Sequence, residues 1–378
     1  MQALKLYLIG LLALPSIGWT DSGTTSANFL KLGIGPRAVA MGDAQVGLAN
    51  DVYATYWNPA GLSQLRGQEL GLVHTNYLQN INEQFVGYAL PQGTLGTFGL
   101  SLTYLSAGSF QGYDAVGSPT TSVGASDLSA GLSYSRYLYS DPRTGAGLSA
   151  GITGKWIQER LDTVSAKAYA ADLGLFFSPG LLWGETLDGL KTGITLRNVG
   201  SKLKFDQESF ELPRVLTAGA SYTGHLWDEG LTVAIDGRKP NDGPQSMGVG
   251  LELWTLQSLV ARAGYTTEGD LGNGLRFGAG LRFKTIQVDY AFANQGDFGN
   301  THRIGLTLKF SPRTRNRMNE AQRWYEKGLH DYKKDRWTEA LVDFNKALEI
   351  DPSHPQALEM MKKTYEQLKE GTLLLDSK

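Results

Sequence analysis

From about residue 68 to Phe310 apolar residues recur at every second position, and the positions between them carry Gly, Ser, Thr or a charge. A period of two sends successive side chains to opposite faces of an extended chain, so this long segment reads as a succession of β-strands. In one run Phe98, Leu100, Leu102 and Tyr104 oppose Thr97, Gly99, Ser101 and Thr103. In the last, Ile304, Leu306, Leu308 and Phe310 oppose Arg303, Gly305, Thr307 and Lys309. Leu275, Phe277, Ala279, Leu281 and Phe283 likewise oppose Arg276, Gly278, Gly280 and Arg282, while Ile286, Val288, Tyr290 and Phe292 oppose Gln287 and Asp289.

The second face separates the architectures such strands can build. A soluble sandwich carries more Lys, Glu and Asp on its wet face than these strands do, whereas a membrane barrel needs only small or polar residues inside. A charge facing lipid near the bilayer centre costs about 2 to 4 kcal/mol, so the apolar rows are expected outward and the Gly, Ser, Thr and Arg rows inward. The 47 Gly, 17 Tyr, 14 Phe and 8 Trp, with only 19% charged residues, favour the same all-β transmembrane barrel. Turn signals such as Pro91-Gln92-Gly93, Asp141-Pro142-Arg143, Lys239-Pro240-Asn241-Asp242-Gly243 and Gly269-Asp270-Leu271-Gly272-Asn273-Gly274 divide the run into about fourteen antiparallel strands. An even count brings both barrel ends to the periplasmic side. Ser106 to Ser126 and Ser178 to Leu187 are the longest connections and are expected to form the larger loops.

The start of the chain agrees with export. Lys5, an apolar run from Leu6 to Leu14 and the small-x-small site Ser16-Ile17-Gly18 read as a signal peptide over residues 1–18. The run is roughly half of the ~20 residues a spanning helix needs, and every later candidate is interrupted by Gly, Ser, Thr or charge. The absence of cysteine excludes a lipid-anchored N-terminal Cys, disulfides and thiol chemistry. A net charge of -2, with one tight basic cluster at Arg313, Arg315 and Arg317, argues against nucleic acid as a partner.

Two segments flank the barrel. Residues 19–67 lack strand alternation and read as a plug, with Gly35-Pro36, a helix-like patch from Arg37 to Met41 and a turn at Asn58-Pro59-Ala60-Gly61. The small inward residues of the strands leave lumen volume for it. Asn58 admits two readings: a latch for a hatch that opens on binding, or a turn that Asn initiates and Pro rigidifies, and the second is favoured as its immediate role. Trp57 reads as a packing anchor. Arg197, Arg262, Arg276, Arg282 and Arg303 are expected to line the lumen and pair with plug carboxylates such as Asp43 and Asp51.

After Phe310 the alternation stops. Residues 311–319 read as a polar linker, and residues 320–370 as an all-α module in which Trp324, Gly328, Ala340, Phe344, Ala347 and Pro352 have the spacing of one tetratricopeptide repeat. Small Gly and Ala let two helices approach while Trp and Phe fill the gap. Lys327 and Asp331 depart from the pattern, and a third helix with Leu358, Met361, Tyr365 and Leu368 is expected to cover the pair. Tyr325, Leu329, Tyr332 and Lys333 lie near groove positions that would bind an extended peptide; docking of the same residues on the barrel or the covering helix is the equal alternative.

Within the plug, Ser26 to Ala44, reading Ser-Ala-Asn-Phe-Leu-Lys-Leu-Gly-Ile-Gly-Pro-Arg-Ala-Val-Ala-Met-Gly-Asp-Ala, and Asn50 to Leu62, including Asn50, Asp51, Trp57, Asn58, Pro59, Ala60 and Gly61, resemble the PorV/PorQ family. That family is similar to the FadL-like long-chain fatty acid transporters. The resemblance implies a fourteen-stranded barrel with an N-terminal hatch carrying the Asn-Pro-Ala-Gly turn. It implies action in type IX-like secretion or surface delivery of exported proteins, in contact with outer-membrane lipid and with cargo or secretion components. The alternative is transport of apolar small molecules; a third reading is an outer-membrane scaffold that anchors a periplasmic helical module.

No chemistry of catalysis stands out. Gly33-x-Gly35-x-x-Ala38 follows no buried strand and is discarded as a dinucleotide fingerprint. His74, His225, His302, His330 and His354 are scattered without metal-ligand spacing, and there is no Gly-x-Ser-x-Gly elbow. No cofactor, metal or enzymatic activity is expected.

Overall fold

The computed structural model describes residues 23–78, 81–141, 146–180, 187, 189–226, 229–256, 258–268, 272–310, 314–351 and 354–375. The expected signal peptide lies outside these residues, as do Pro352 and most of the connection from Ser178 to Leu187. The chain divides into two compact units, Met1–Lys309 and Phe310–Lys378.

In the first unit the strands are β1 (Gln68–Asn76), β2 (Asn82–Pro91), β3 (Thr97–Tyr113), β4 (Pro119–Asp141), β5 (Ala146–Leu161) and β6 (Val164–Ser178). They continue as β7 (Leu190–Gly200), β8 (Leu203–Phe205), β9 (Glu208–Phe210), β10 (Val215–Leu226) and β11 (Glu229–Pro240). The last are β12 (Ser246–Thr255), β13 (Leu259–Thr266), β14 (Leu275–Phe283), β15 (Ile286–Asn294) and β16 (Asn300–Phe310). All but β8 and β9 form one closed barrel of 14 strands in which β1 pairs with β16; β8 and β9 form a separate hairpin. Closure removes the unpaired edges that a sheet would otherwise expose to lipid.

The parity of the strands sorts their side chains as the alternation demands. Leu100, Phe277 and Ile304 are 55%, 50% and 55% exposed on the outside, whereas Ser133, Thr153 and Thr301 are fully buried inside. An apolar belt this continuous is far larger than a monomeric soluble protein exposes. Phe98, Phe283 and Phe310 flank it toward one end, and Tyr104, Tyr169 and Tyr265 toward the other. The closed barrel with this apolar exterior spans the membrane with its strands; no helix among the described residues is long and apolar enough to cross one.

The connection expected as a loop between Ser106 and Ser126 is instead a continuation of the β3–β4 hairpin. Pairing runs on from Leu105↔Asp127 to Tyr113↔Pro119, with irregularities after Ser106 and after Gln111. The tip closes through Asp114, whose carboxylate accepts from the amides of Val116 and Ser118. Beyond the lipid belt both faces are wet, so apolar alternation is no longer needed and the strand signal fades although the backbone ladder persists.

Residues 24–65 fill the lumen. A 3-10 turn (Asn28–Lys31) precedes α1 (Pro36–Ala40), then α2 (Ala54–Trp57) and a second 3-10 turn (Pro59–Gln64). Gly35 takes φ 91° and Pro36 occupies the first helical position, where its missing N–H costs nothing. Ile34, Val52, Tyr53, Trp57 and Leu62 pack on Phe85 and Ala89 of β2.

The second unit has α3 (Thr314–Tyr332), α4 (Trp337–Ile350) and α5 (Pro355–Leu375). α3 begins inside the stretch read as linker, because no residue after Pro312 in that arginine-rich segment breaks a helix.

Candidate functional site

The contact between plug and barrel wall is the most elaborated polar surface of the molecule, and it has two unlike halves. On β4 to β7 the wall meets backbone. Asn58 caps the second 3-10 turn by accepting from the Ala60 amide (3.1 Å), and its Nδ2 donates to the carbonyls of Val46 (3.0 Å) and Leu175 (3.2 Å). The Ala60 carbonyl accepts from the hydroxyls of Ser135 and Ser149 at 3.0 and 2.9 Å. This fit needs bare wall positions: a Cβ on Gly151 would overlap Pro59, on Gly174 the Asn58 amide oxygen, and on Gly193 the Val46 carbonyl. Gly61 likewise leaves no room for a Cβ against Ala49. Asn58 thus initiates the turn expected of it and ties that turn to Val46 and to the wall at Leu175.

On β11 to β15 the wall meets charge. Arg37 of α1 donates to both oxygens of Glu252 at 2.8 Å, and its remaining nitrogen reaches Asn50 (2.6 Å) and Asp51 (3.1 Å). Burial opposes this charge, but Glu252 and then Asp51 outweigh it and raise the Arg37 pKa above its ordinary value. Glu252 also accepts from Arg262 at 2.7 Å, and Arg262 continues to Asp289 at 2.7 Å. Asp43 pairs with Arg276 and lies 3.8 Å from Arg238, which also pairs with Glu268. Asp236 accepts from the amides of Gln45 and Val46, both at 2.8 Å. Each of these charges on β11 to β15 thus meets an opposite charge or backbone amides, which is the condition for keeping ions in a lumen.

Aromatic residues join the halves. Trp57 is buried, and its indole N–H donates to the Ile34 carbonyl at 2.8 Å. Arg197 lies over Tyr56 (4.7 Å) and Trp57 (5.5 Å), Arg238 over the same indole at 6.0 Å, Arg303 over Tyr77 and Arg282 over Trp254. Of the five arginines expected to line the lumen, Arg276 meets the plug carboxylate Asp43, while Arg262 pairs with wall carboxylates and Asp51 is taken by Arg37.

Two cavities remain beside the charged half. One of about 250 Å³, at the end where the chain enters and leaves the barrel, is lined by Arg37, Asp51, Glu252, Trp254, Arg282 and Lys309 among others. The other, of about 230 Å³ at the opposite end, is lined by Lys31, Trp57, Arg197, Arg238, Asp242 and Glu268 among others. A smaller space of about 20 Å³ lies beside Phe29, Leu30 and Tyr56.

A family model of the type IX secretion system protein PorV matches residues 20–236, spanning the whole plug and more than half of the chain. The chain belongs to this family. No curated protein sequence matches it. Among solved structures it is similar to the P. putida toluene transporter TodX, with 14% identity and TM-score 0.49 over 74% of this chain and 99% of that one. It is similar to the CymD monoaromatic hydrocarbon channel, with 13% identity and TM-score 0.49 over 74% and 98%. A Pseudomonas aeruginosa FadL homologue has 11% identity and TM-score 0.42 over 78% and 99%.

In this PorV-family barrel the residues that sequence reasoning overlooked are wall carboxylates and their partners: Glu252, Asp236, Glu268, Asp242, and the Lys155–Asp172 pair at 2.8 Å. Glu252, Asp236, Lys155 and Asp172 are signalled only by a charge at a position of inward parity, while Asp242 and Glu268 lie in the connections after β11 and β13. The N-terminal segment is also fastened beside the second cavity, where the Ser26 amide donates to the Glu211 carbonyl and Lys31 meets Asp242 at 2.7 Å. Burial works against the Asp242 charge, yet hydrogen bonds from Lys31 and Thr25 outweigh it and lower its pKa.

In the helical unit Ala340, Phe344 and Ala347 are fully buried, and a Cβ on Gly328 would press into the Phe344 ring. Trp324 carries Lys327 and Lys346 over its face at 4.9 and 4.4 Å. Tyr325 meets the Phe344 and His354 rings at a tilt and Tyr332 meets Trp337 edge-on, so both tyrosines near the groove positions take part in the unit's own packing. Leu329 is half-buried and Lys333 is exposed.

Proposed function

We propose that this outer-membrane barrel takes part in secretion or surface delivery of exported proteins, with its plug seated and its outward end meeting the cargo. The membership in the PorV family carries this reading. The filling of the lumen supports it: the apolar cluster of the outward half, with Ile157, Ala166, Ala168 and Ala170 on the wall, is occupied by the plug's own Phe29 and Leu30. A transporter of apolar molecules needs a greasy pocket; the cavity beside Arg37 is lined mainly by charged and polar side chains, and the second sets charges among Trp57, Val215, Pro240 and Pro244.

The helical tail is the finer part of the proposal. Its Gly328–Phe344 contact and its buried Ala340 and Ala347 fit one tetratricopeptide-like repeat closed by α5, facing the periplasm and touching a protein partner there. A single repeat exposes its flanks and gains stability from a neighbour.

Crosslinking mass spectrometry in the native outer membrane, on the intact chain and on a chain stopped after Phe310, tests both parts. Exported proteins sharing a C-terminal domain should crosslink to the outward connections in both versions, and periplasmic partners only to the intact chain. If no protein is captured and an apolar ligand co-purifies instead, the secretion reading fails; if the periplasmic partners survive truncation, the role of the tail fails.

A further inference from the structure

The second cavity contains an unbalanced charge. Arg197 is 3% exposed, and its Nε has no hydrogen-bond partner among the described residues. The other cations of this region are matched: Lys31 by Asp242, Lys155 by Asp172, and Arg238 by Asp43 and Glu268. Among the described residues no carboxylate comes within ion-pair distance of Arg197, which instead lies over the rings of Tyr56 and Trp57. Ring faces stabilise a cation without using its N–H donors; Tyr56 also takes a side-chain hydrogen bond from Arg197, and the buried Nε–H is left idle, which is costly. The same side chain lines about 230 Å³ of space, room for roughly eight water molecules at ~30 Å³ each.

We propose that this cavity binds a compact polar oxyanion, a carboxylate or phosphate group, with Arg197 as its principal ligand. The planar guanidinium offers paired N–H donors that suit two oxygens of one anion. Trp57 holds the guanidinium from one side, which orients it without consuming those donors. Lys31, Arg238, Asp242 and Glu268 stand among Trp57, Val215, Pro240 and Pro244 in the lining, so an acyl chain laid along it would have to desolvate four charged side chains. Asp242 and Glu268, each engaged by its own cation, set a boundary of negative charge that disfavours large polyanions. The site concerns what reaches this end of the lumen and is independent of the secretion reading.

Isothermal titration calorimetry on the full-length protein in detergent micelles, with inorganic phosphate, succinate and hexadecanoate in separate runs, tests the assignment. Phosphate, succinate or both should bind with one site per chain; which of them binds distinguishes a phosphate from a carboxylate source. That binding should weaken more than tenfold in Arg197→Gln and by a smaller factor in Arg197→Lys, which keeps the charge but loses the paired donors. Val215 is the register partner of Arg197 on the adjacent strand, so their side chains share the inward face. Val215→Glu places a covalent carboxylate opposite the guanidinium and should abolish binding while keeping Arg197; retention of the compact barrel is checked by heat-modifiable gel migration. The proposal is overturned if neither small anion binds the wild type, if a folded Arg197→Gln or Val215→Glu binds as the wild type does, or if hexadecanoate alone binds through Arg197.

Discussion

The two halves of the plug–wall contact hold the same segment by different physics. Against β4 to β7 the fit is one of shape: glycines at 151, 174 and 193 bring wall and turn backbones together, and hydroxyls and an amide complete the hydrogen bonds. Against β11 to β15 the fit is one of charge, through Arg37, Glu252, Arg262 and Asp289. A shape fit tolerates no added atom but loses little when a polar contact is deleted. A buried charge network tolerates changes of volume but is sensitive to the loss of one partner. A plug held both ways can be freed on one side while the other still tethers it.

Because the chain has no cysteine, a single introduced thiol reports plug exposure without background. Ala44→Cys on the charged side and Thr55→Cys beside β3 serve as the pair of reporters, both at buried positions. The largest effect is expected from Glu252→Leu, which takes from Arg37 and from Arg262 one of the two carboxylates each of them meets. A loss at the lower end of the 3–5 kcal/mol range for a broken buried pair, about 3 kcal/mol, should speed maleimide labelling at position 44 roughly a hundredfold. Unchanged labelling there would remove the charge-held half from the account. Next comes Gly151→Val, whose overpacking costs about 1 to 3 kcal/mol and should speed labelling at position 55 roughly tenfold. If both reporters answer equally to both substitutions, the plug moves as one body and the division into halves is wrong for its dynamics.

Asn58→Ala should cost about 1 to 2 kcal/mol, from the lost cap and the unpaired Val46 and Leu175 carbonyls, read as a shift in the urea-unfolding midpoint of the reconstituted barrel. No shift would mean that water replaces the amide. The smallest effect concerns pH. Asp242 has a lowered pKa in the folded protein, so its contribution is complete above the ordinary aspartate value near 3.9 and is lost as pH falls below it through the folded value. Hydrogen exchange at the Ser26 amide, corrected for intrinsic rate, should therefore accelerate only below about pH 4. Acceleration beginning near neutrality would assign the fastening of the N-terminal segment to another group.

Much of the barrel was legible in the chain, and the reason is local. The inward and outward rows of β3, β14, β15 and β16 follow from strand parity, and the approximate strand number follows from turn residues. Where lipid no longer acts, as in the outer reaches of β3 and β4, the pattern thins and an extended hairpin resembles a loop. The candidate site was legible in part. Asn58, Trp57 and Asp51 stand out as motif residues, but nothing around Glu252 or Asp236 distinguishes them from other polar positions in a strand. In the tail, Phe344, Ala340 and Ala347 were legible as packing residues, while the inward use of Tyr325 and Tyr332 depends on how one helix turns against the next.

What the sequence by itself determined is the face each strand residue occupies and the composition of the lumen wall, because a period of two and a lipid exterior act on every residue in turn. The tertiary structure alone decided which inward residues meet. Arg37 and Glu252 are 215 positions apart, and Asn58 and Leu175 are 117. Such pairs arise only when barrel closure sets each strand's height and the plug's path, and local periodicity carries no information about either. The same closure leaves Arg197 beside an aromatic pair without a carboxylate, a circumstance that no reading of residue 197 and its neighbours in the chain could supply.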